Sequence, residues 1–150
     1  MYPHSSTSIP TSSLRRQTPI LYWFFLLLLC SAYLQGGLEK LWNFQAALAE
    51  MRHFGMEPAR LFAMVTIVGE LGASLMILMG RLRRVGALYL AMFTFAANFL
   101  ANRFWLLEGM VRTMSENGFY EHLGLVGAFL IVAWIDKHAR DGYPGAARFP

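Results

Sequence analysis

The chain has 150 residues, of which 56% are apolar and only 15% charged, and its mean hydropathy is +0.40. A soluble domain wets its surface with about 25% charged residues, so the solvent of this chain is lipid, which argues against a secreted disulfide scaffold, a disordered tail or a soluble nucleic-acid binder. The net charge of +4 does not restore a nucleic-acid role, because the basic residues flank apolar runs and form no stripe with interleaved aromatics.

In chain order, residues 1–19 are rich in Ser, Thr and Pro, end near Arg15-Arg16, and read as a flexible tail. Four apolar stretches follow, over about 20–38, 61–79, 85–107 and 123–135. Crossing the hydrocarbon takes about 20 residues, so the fourth stretch must recruit its upstream polar residues. Arg15-Arg16 before a Phe/Leu run resembles the start of a signal peptide, but bulky Leu29 before Cys30 is a poor processing site, and a retained helix is the better reading. Cys30 is the single cysteine, so no internal disulfide or CxxC pair exists, and its apolar surroundings assign it to packing. Between spans one and two, Asn43 is placed to cap a short helix with Phe44, Ala47, Leu48 and Met51 on one face, ended by Gly55 and Pro58. Such a helix lies on the membrane face and roofs the bundle; residues 108–117 form a weaker second candidate. Residues 138–150 read as a second tail.

Lys and Arg set the orientation. Arg15, Arg16, Arg81, Arg83, Arg84, Lys137, Arg140 and Arg148 fall on one side, whereas Lys40, Arg52, Arg60 and Arg112 opposite are diluted by glutamates. Both termini are therefore expected in the cytoplasm. Trp23 and Trp134 then fall at the inner boundary, and Trp42 and Trp105 at the outer one, as an aromatic belt requires. Small residues four apart, such as Gly69 and Ala73 or Ala87 and Ala91, favour close helix approach. The expected fold is an all-α membrane protein: a four-transmembrane-helix bundle with a short amphipathic outer-face helix between spans one and two.

Glu70 stands ten residues from Arg60 and eleven from Arg81, hence about 15 Å from either boundary at 1.5 Å per residue. An acid at that depth costs about 2.5–3.5 kcal/mol on insertion scales and is usually partnered and functional. It serves either as an interhelical hydrogen-bond donor or in binding and proton transfer. Thr94, Asn98, Asn102 and Trp105 form a polar stripe on span three, and His122 opens span four. Glu70, Asn98 and His122 share nearly one depth, with Arg103 and Lys40 nearer the mouth and Ser31, Gln35 and Glu39 on one face of span one. Together they suggest a polar pocket in the outer half of the bundle; the alternative is a set of hydrogen bonds that only fix register. Metal binding is not expected, because no second His or Cys lies at ligand spacing.

The segments GGLEKLWNF (36–44), HFGMEP (53–58), VGELGASLMILMGRLRRVGAL (68–88) and HLGLVGAFLIV (122–132) resemble the DoxX family of small bacterial membrane proteins, over about residues 20–137. By that resemblance Lys40, Glu70 and Gly80 occupy signature positions, while His122 stands where relatives tend to show Asn and Asn102 where His is frequent. The resemblance implies a four-span domain in the bacterial inner membrane. For some members it also implies a place beside quinone-linked oxidoreductases or other redox partners. The leading functional expectation is thus a redox-associated membrane subunit with a quinone-type head group in the pocket. Glu70 would exchange protons, Asn98, His122, Asn102 and Gln35 would contact the head group, and Lys40 and Arg103 would attract an anionic donor. Its partners would be the lipid bilayer and a redox protein or a second copy of the chain. Two alternatives are a non-enzymatic scaffold that recruits a partner through 44–54, and a proton-coupled small-molecule exporter. The exporter is disfavoured because the single membrane Glu lies in span two and the charge bias is clear.

Overall fold

The computed structural model describes residues 11–140, with side chains from Ile20 to His138. Residues 1–10 and 141–150, most of the two expected tails, lie outside the described residues, as do the side chains of Arg15, Arg16, Arg140 and Arg148. Five α-helices account for nearly all of the rest: α1 (Thr11–Trp42), α2 (Phe44–His53), α3 (Ala59–Leu78), α4 (Arg83–Ala101) and α5 (Gly109–Arg140). Four of them, all but α2, give stretches long and apolar enough to cross a membrane.

Two boundaries differ from the sequence expectation for one physical reason. Extending an existing helix fixes one residue per hydrogen bond gained, so a helix runs on past its apolar segment until something stops it. Helix α1 accordingly begins at Thr11, inside the segment expected as a flexible tail. Residues 109–117, the second candidate surface helix, are simply the first turns of α5. Within α5, a Cβ on Gly118 would stand 3.2 Å from Asn102 Oδ1, so the glycine serves close approach. The third apolar span runs from Arg83 to Leu106, as expected, but its α-helical part stops at Ala101. Asn102 leaves helical geometry, and residues Phe104–Leu106 form a 3₁₀ turn packed through Phe104 and Trp105 on Phe119 of α5.

The helices run up and down. Trp23, near the start of the first span, donates through Nε1 to the carbonyl of Leu78 at the end of α3, at 3.2 Å. Helix α1 packs on α3, α3 on α4, and α4 on α5. The ring closes where Tyr33 of α1 meets Phe129 of α5 edge to face, 5.3 Å between centroids. Leu26, Cys30, Tyr33 and Gly37 form the buried stripe of α1, with spacings of four, three and four. Inside lies a core of Leu26, Ile77, Leu90, Phe129 and their neighbours. Outside, exposed Val68, Met92, Ile131 and many other large apolar side chains face lipid.

The predicted cap is present: Asn43 Oδ1 accepts from the backbone N–H of Ala46 at 3.2 Å. Helix α2 buries Ala47 and Met51 against Ala59 and Ala63 of α3, so it lies across one end of the bundle. At the opposite end the α3–α4 link turns through Gly80 at φ 73 and Leu82 at φ 57. That turn directs Arg83 inward, unlike exposed Arg81 and Arg84. Arg83 Nε donates to the carbonyl of Ile77 at 3.1 Å, and its guanidinium lies 5.3 Å from the centre of the Tyr22 ring. The four tryptophans fall in two exposed pairs, Trp23 with Trp134 at the Arg83 end and Trp42 with Trp105 at the α2 end.

Helices α3 and α4 approach closely at Gly86. A Cβ on Gly86 would stand 2.6 Å from the backbone oxygen of Ala73, whereas one on Gly72 or Gly127 would meet nothing within 4 Å. Gly86→Ala is therefore expected to destabilise the bundle by about 1–3 kcal/mol through overpacking. Gly72→Ala and Gly127→Ala should leave the unfolding midpoint in detergent unchanged or raise it.

Candidate functional site

Lys40 lies three residues beyond Gly37, the next position of the buried α1 stripe, so the geometry that packs the helix also turns this cation inward. Its Nζ stands 3.9 Å from Glu70 Oε2 and 3.8 Å from Glu50 Oε2. The three side chains form a graded series from surface to interior. Side-chain exposure is 42% for Glu50 on the roof, 18% for Lys40 and 9% for Glu70. Attraction across these distances is electrostatic, for Glu70 Oε2 is buried without a hydrogen-bond partner. Gly36 leaves the space beside the pair clear: a Cβ there would lie 3.6 Å from both Glu70 Oε2 and Lys40 Nζ.

That space belongs to a cavity of about 460 Å³ at the α2 end of the bundle. Its polar lining comes from Lys40, Glu50, Glu70, Thr66, Thr94 and His122, with the hydroxyls of Tyr33 and Tyr89. Phe62, Val65, Phe93, Leu100 and Leu125 supply apolar wall, and Met51, Phe54 and Met56 form the cover. Thr94 donates to the carbonyl of Leu90 at 2.6 Å, so the 2.5 Å contact with Tyr33 has the tyrosine hydroxyl as donor. Tyr33 is thereby held across the bundle, against α4. His122 Nδ1 lies 2.6 Å from the carbonyl of Gly118. A carbonyl only accepts, so Nδ1 carries the proton there, and in the neutral ring Nε2 remains as an acceptor.

The sequence-predicted residues divide into two groups. Glu70, Lys40 and His122 meet at the cavity, although Lys40 lies in its wall beside Glu70 and not at a mouth. Asn98 and Asn102 are elsewhere. Asn98 is fully buried, its Nδ2 donating to the carbonyl of Phe119 at 3.0 Å and its Oδ1 accepting from Asn102 at 2.8 Å. They tie α4 to α5, as the register alternative has it, and do not line the cavity. Gln35 is on the exposed face of α1, bonded to Glu39 at 2.6 Å, and Arg103 is exposed beyond α4. For Asn98 and Gln35 the reason is angular, since helical rise fixes height along a helix and not the face a side chain takes. Among the described residues, no group of three His, Cys, Asp or Glu is placed to hold a metal.

Tyr33, Tyr89 and Glu50 were not singled out from the sequence. Tyr33 was accessible through its heptad spacing to Gly37 and Lys40. Glu50 was visible only as a loop charge, because its role depends on how α2 folds over the bundle.

The DoxX family model matches residues 24–103, from the first span through the end of α4. No curated protein and no solved structure matches the chain. The matched region carries Lys40, Glu50 and Glu70, so the charged series falls inside the family segment, while His122 falls outside it.

Removing Lys40 leaves a buried acid without its cation, a larger loss than removing both charges together. Unfolding of Lys40→Met, Glu70→Gln and the double variant in bilayer-mimetic micelles should therefore give a coupling energy of about 0.5–3 kcal/mol. Additive losses would mean that the two side chains do not interact.

Proposed function

We propose that this chain, which belongs to the DoxX family, is a redox-associated membrane subunit whose cavity holds the head group of a quinone-type molecule. The observation that carries the reading is Glu70 Oε2, buried, without a hydrogen-bond partner, and 3.9 Å from the ammonium of Lys40 beside an otherwise largely apolar cavity. A small planar molecule with two carbonyl oxygens fits that chemistry. It needs a few convergent polar groups in an apolar box, and pockets for such ligands measure about 300–1,000 Å³.

When bound, a quinone supplies reversible two-electron chemistry coupled to proton uptake at its carbonyl oxygens. The chain's own part is binding and proton handling. Lys40 Nζ donates a hydrogen bond toward a head-group oxygen. Glu70 Oε2 gives or takes a proton beside it, and His122 Nε2, an acceptor in the neutral ring, takes a hydrogen bond from a hydroxyl of the reduced, quinol form. Glu50, partly exposed next to Lys40, connects this interior pair to water. The phenylalanine, leucine and methionine walls exclude bulk solvent, which strengthens each polar contact inside. Electrons come, in this reading, from a partner protein.

The orientation belongs to the same proposal. Exposed Arg81 and Arg84 lie at the Trp23 and Trp134 end, and basic links favour the cytoplasmic side. Both termini then lie in the cytoplasm of a bacterial cell, with the cavity in the outer half of its inner membrane.

Protein purified gently from native membranes is expected to carry near-stoichiometric quinone. A charge-assisted hydrogen bond contributes about 1.5–3 kcal/mol, so Glu70→Gln should weaken retention about 10–100-fold. A well-folded wild type without quinone would end this reading.

A further inference from the structure

The cavity is bounded differently at the α2 end and between α3 and α4. Toward the α2 end it is covered: Ala47 and Met51 are buried against Ala59 and Ala63, and Met51, Phe54 and Met56 line the cavity from above. Between α3 and α4 the situation differs. Phe62 and Val65 of α3, with Ala96 and Leu100 of α4, line the cavity and are also exposed on the outside of the bundle. These four positions belong to the membrane-spanning stretches, so what they face is hydrocarbon.

The packing between α3 and α4 changes along their length. Toward the Arg83 end, α3 and α4 touch closely through Gly86 and Ala73. Further along, Gly69 receives the Tyr89 ring, and a Cβ at that glycine would overlap the tyrosine hydroxyl. Beyond this point the facing residues are Thr66, Phe93 and Ala97, all of which line the cavity. Tyr89 against Gly69 therefore marks the level beyond which the residues of α3 and α4 line the cavity.

We infer that this flank is a lateral portal through which the cavity takes a bilayer-dissolved amphipathic ligand, its head at Lys40 and Glu70 and its hydrocarbon tail leaving between Phe62–Val65 and Ala96–Leu100. The inference rests on the head-group reading and adds the class of ligand, a lipid-tailed molecule in place of a water-soluble one. The opening is apolar on both rims and continuous with the polar interior, which matches a molecule with one polar end. A tail in this position stays in hydrocarbon while the head enters the cavity. Entry from the covered end would require the tail to pass Met51 and Phe54.

The test uses the full chain reconstituted in phosphatidylcholine vesicles, with a decyl-tailed quinone and its tail-less parent as probes. Ala96→Trp and Val65→Trp narrow the flank from opposite helices. Val68→Trp puts the same ring on an exposed α3 position outside the cavity lining and checks that it is tolerated. The expected result is loading of the tailed quinone slowed about tenfold or more in both flank variants and unchanged in Val68→Trp, with equilibrium binding of the tail-less probe retained throughout. Wild-type loading rates in both flank variants would overturn the portal and leave the head-group reading standing. Equal loss of both probes at equilibrium would mean that the new ring fills the cavity, which also overturns the portal. A wild type that binds neither probe would remove the head-group reading itself.

Discussion

An acid halfway along an apolar span is the constraint around which this protein is arranged. Burying Glu70 without compensation would oppose insertion, and the compensation is a single cation, Lys40, held 3.9 Å away. Lys40 can reach that depth only because the end of α1 keeps its buried stripe in register up to the level of the roof. Gly37 lets α1 approach Leu71, since a Cβ there would stand 2.8 Å from that side chain, and Gly36 leaves the charge pair uncovered. Helix α2 then returns over the bundle and brings Glu50 to the other side of the same ammonium.

The two ends of the bundle use polar groups differently. At the Arg83 end a buried guanidinium is spent on backbone and ring contacts that close a turn. At the α2 end, polar atoms border open volume, and one carboxylate oxygen is left without a hydrogen bond. Orphaned polar atoms in a buried setting are rare because they are costly. The stability forgone at Glu70 is understandable if the cavity has an occupant, which is what separates a ligand site from a register device. Asn98 and Asn102 illustrate the device, bonded to each other and to α5 and outside the cavity lining.

Much of the fold was legible in the sequence because lipid imposes a length and a flanking charge on every span. The four spans, the Asn43 cap and the helix over one end of the bundle follow from hydropathy, capping chemistry and helical spacing. What those signals lack is angle. Asn98 points into the α4–α5 contact, and Gln35 shares a face with Ser31 and Glu39, but that face of α1 is the exposed one. The heptad spacing from Leu26 through Tyr33 to Lys40 held the angular information for α1. Arg83 could not be told from Arg81 and Arg84, since its inward turn depends on the left-handed backbone at Gly80 and Leu82. The cavity itself is lined from all five helices, and no single residue announces it.

The most direct test of the central claim is covalent mapping of the occupant. A photoreactive azido-quinone, irradiated with the reconstituted chain and competed with unlabelled quinone, should label α3 around Thr66 and Glu70 and α5 around His122 and Leu125, saturably. Labelling confined to lipid-facing positions such as Val68 and Met92, or undiminished by competitor, would contradict a head-group site between Lys40 and Glu70.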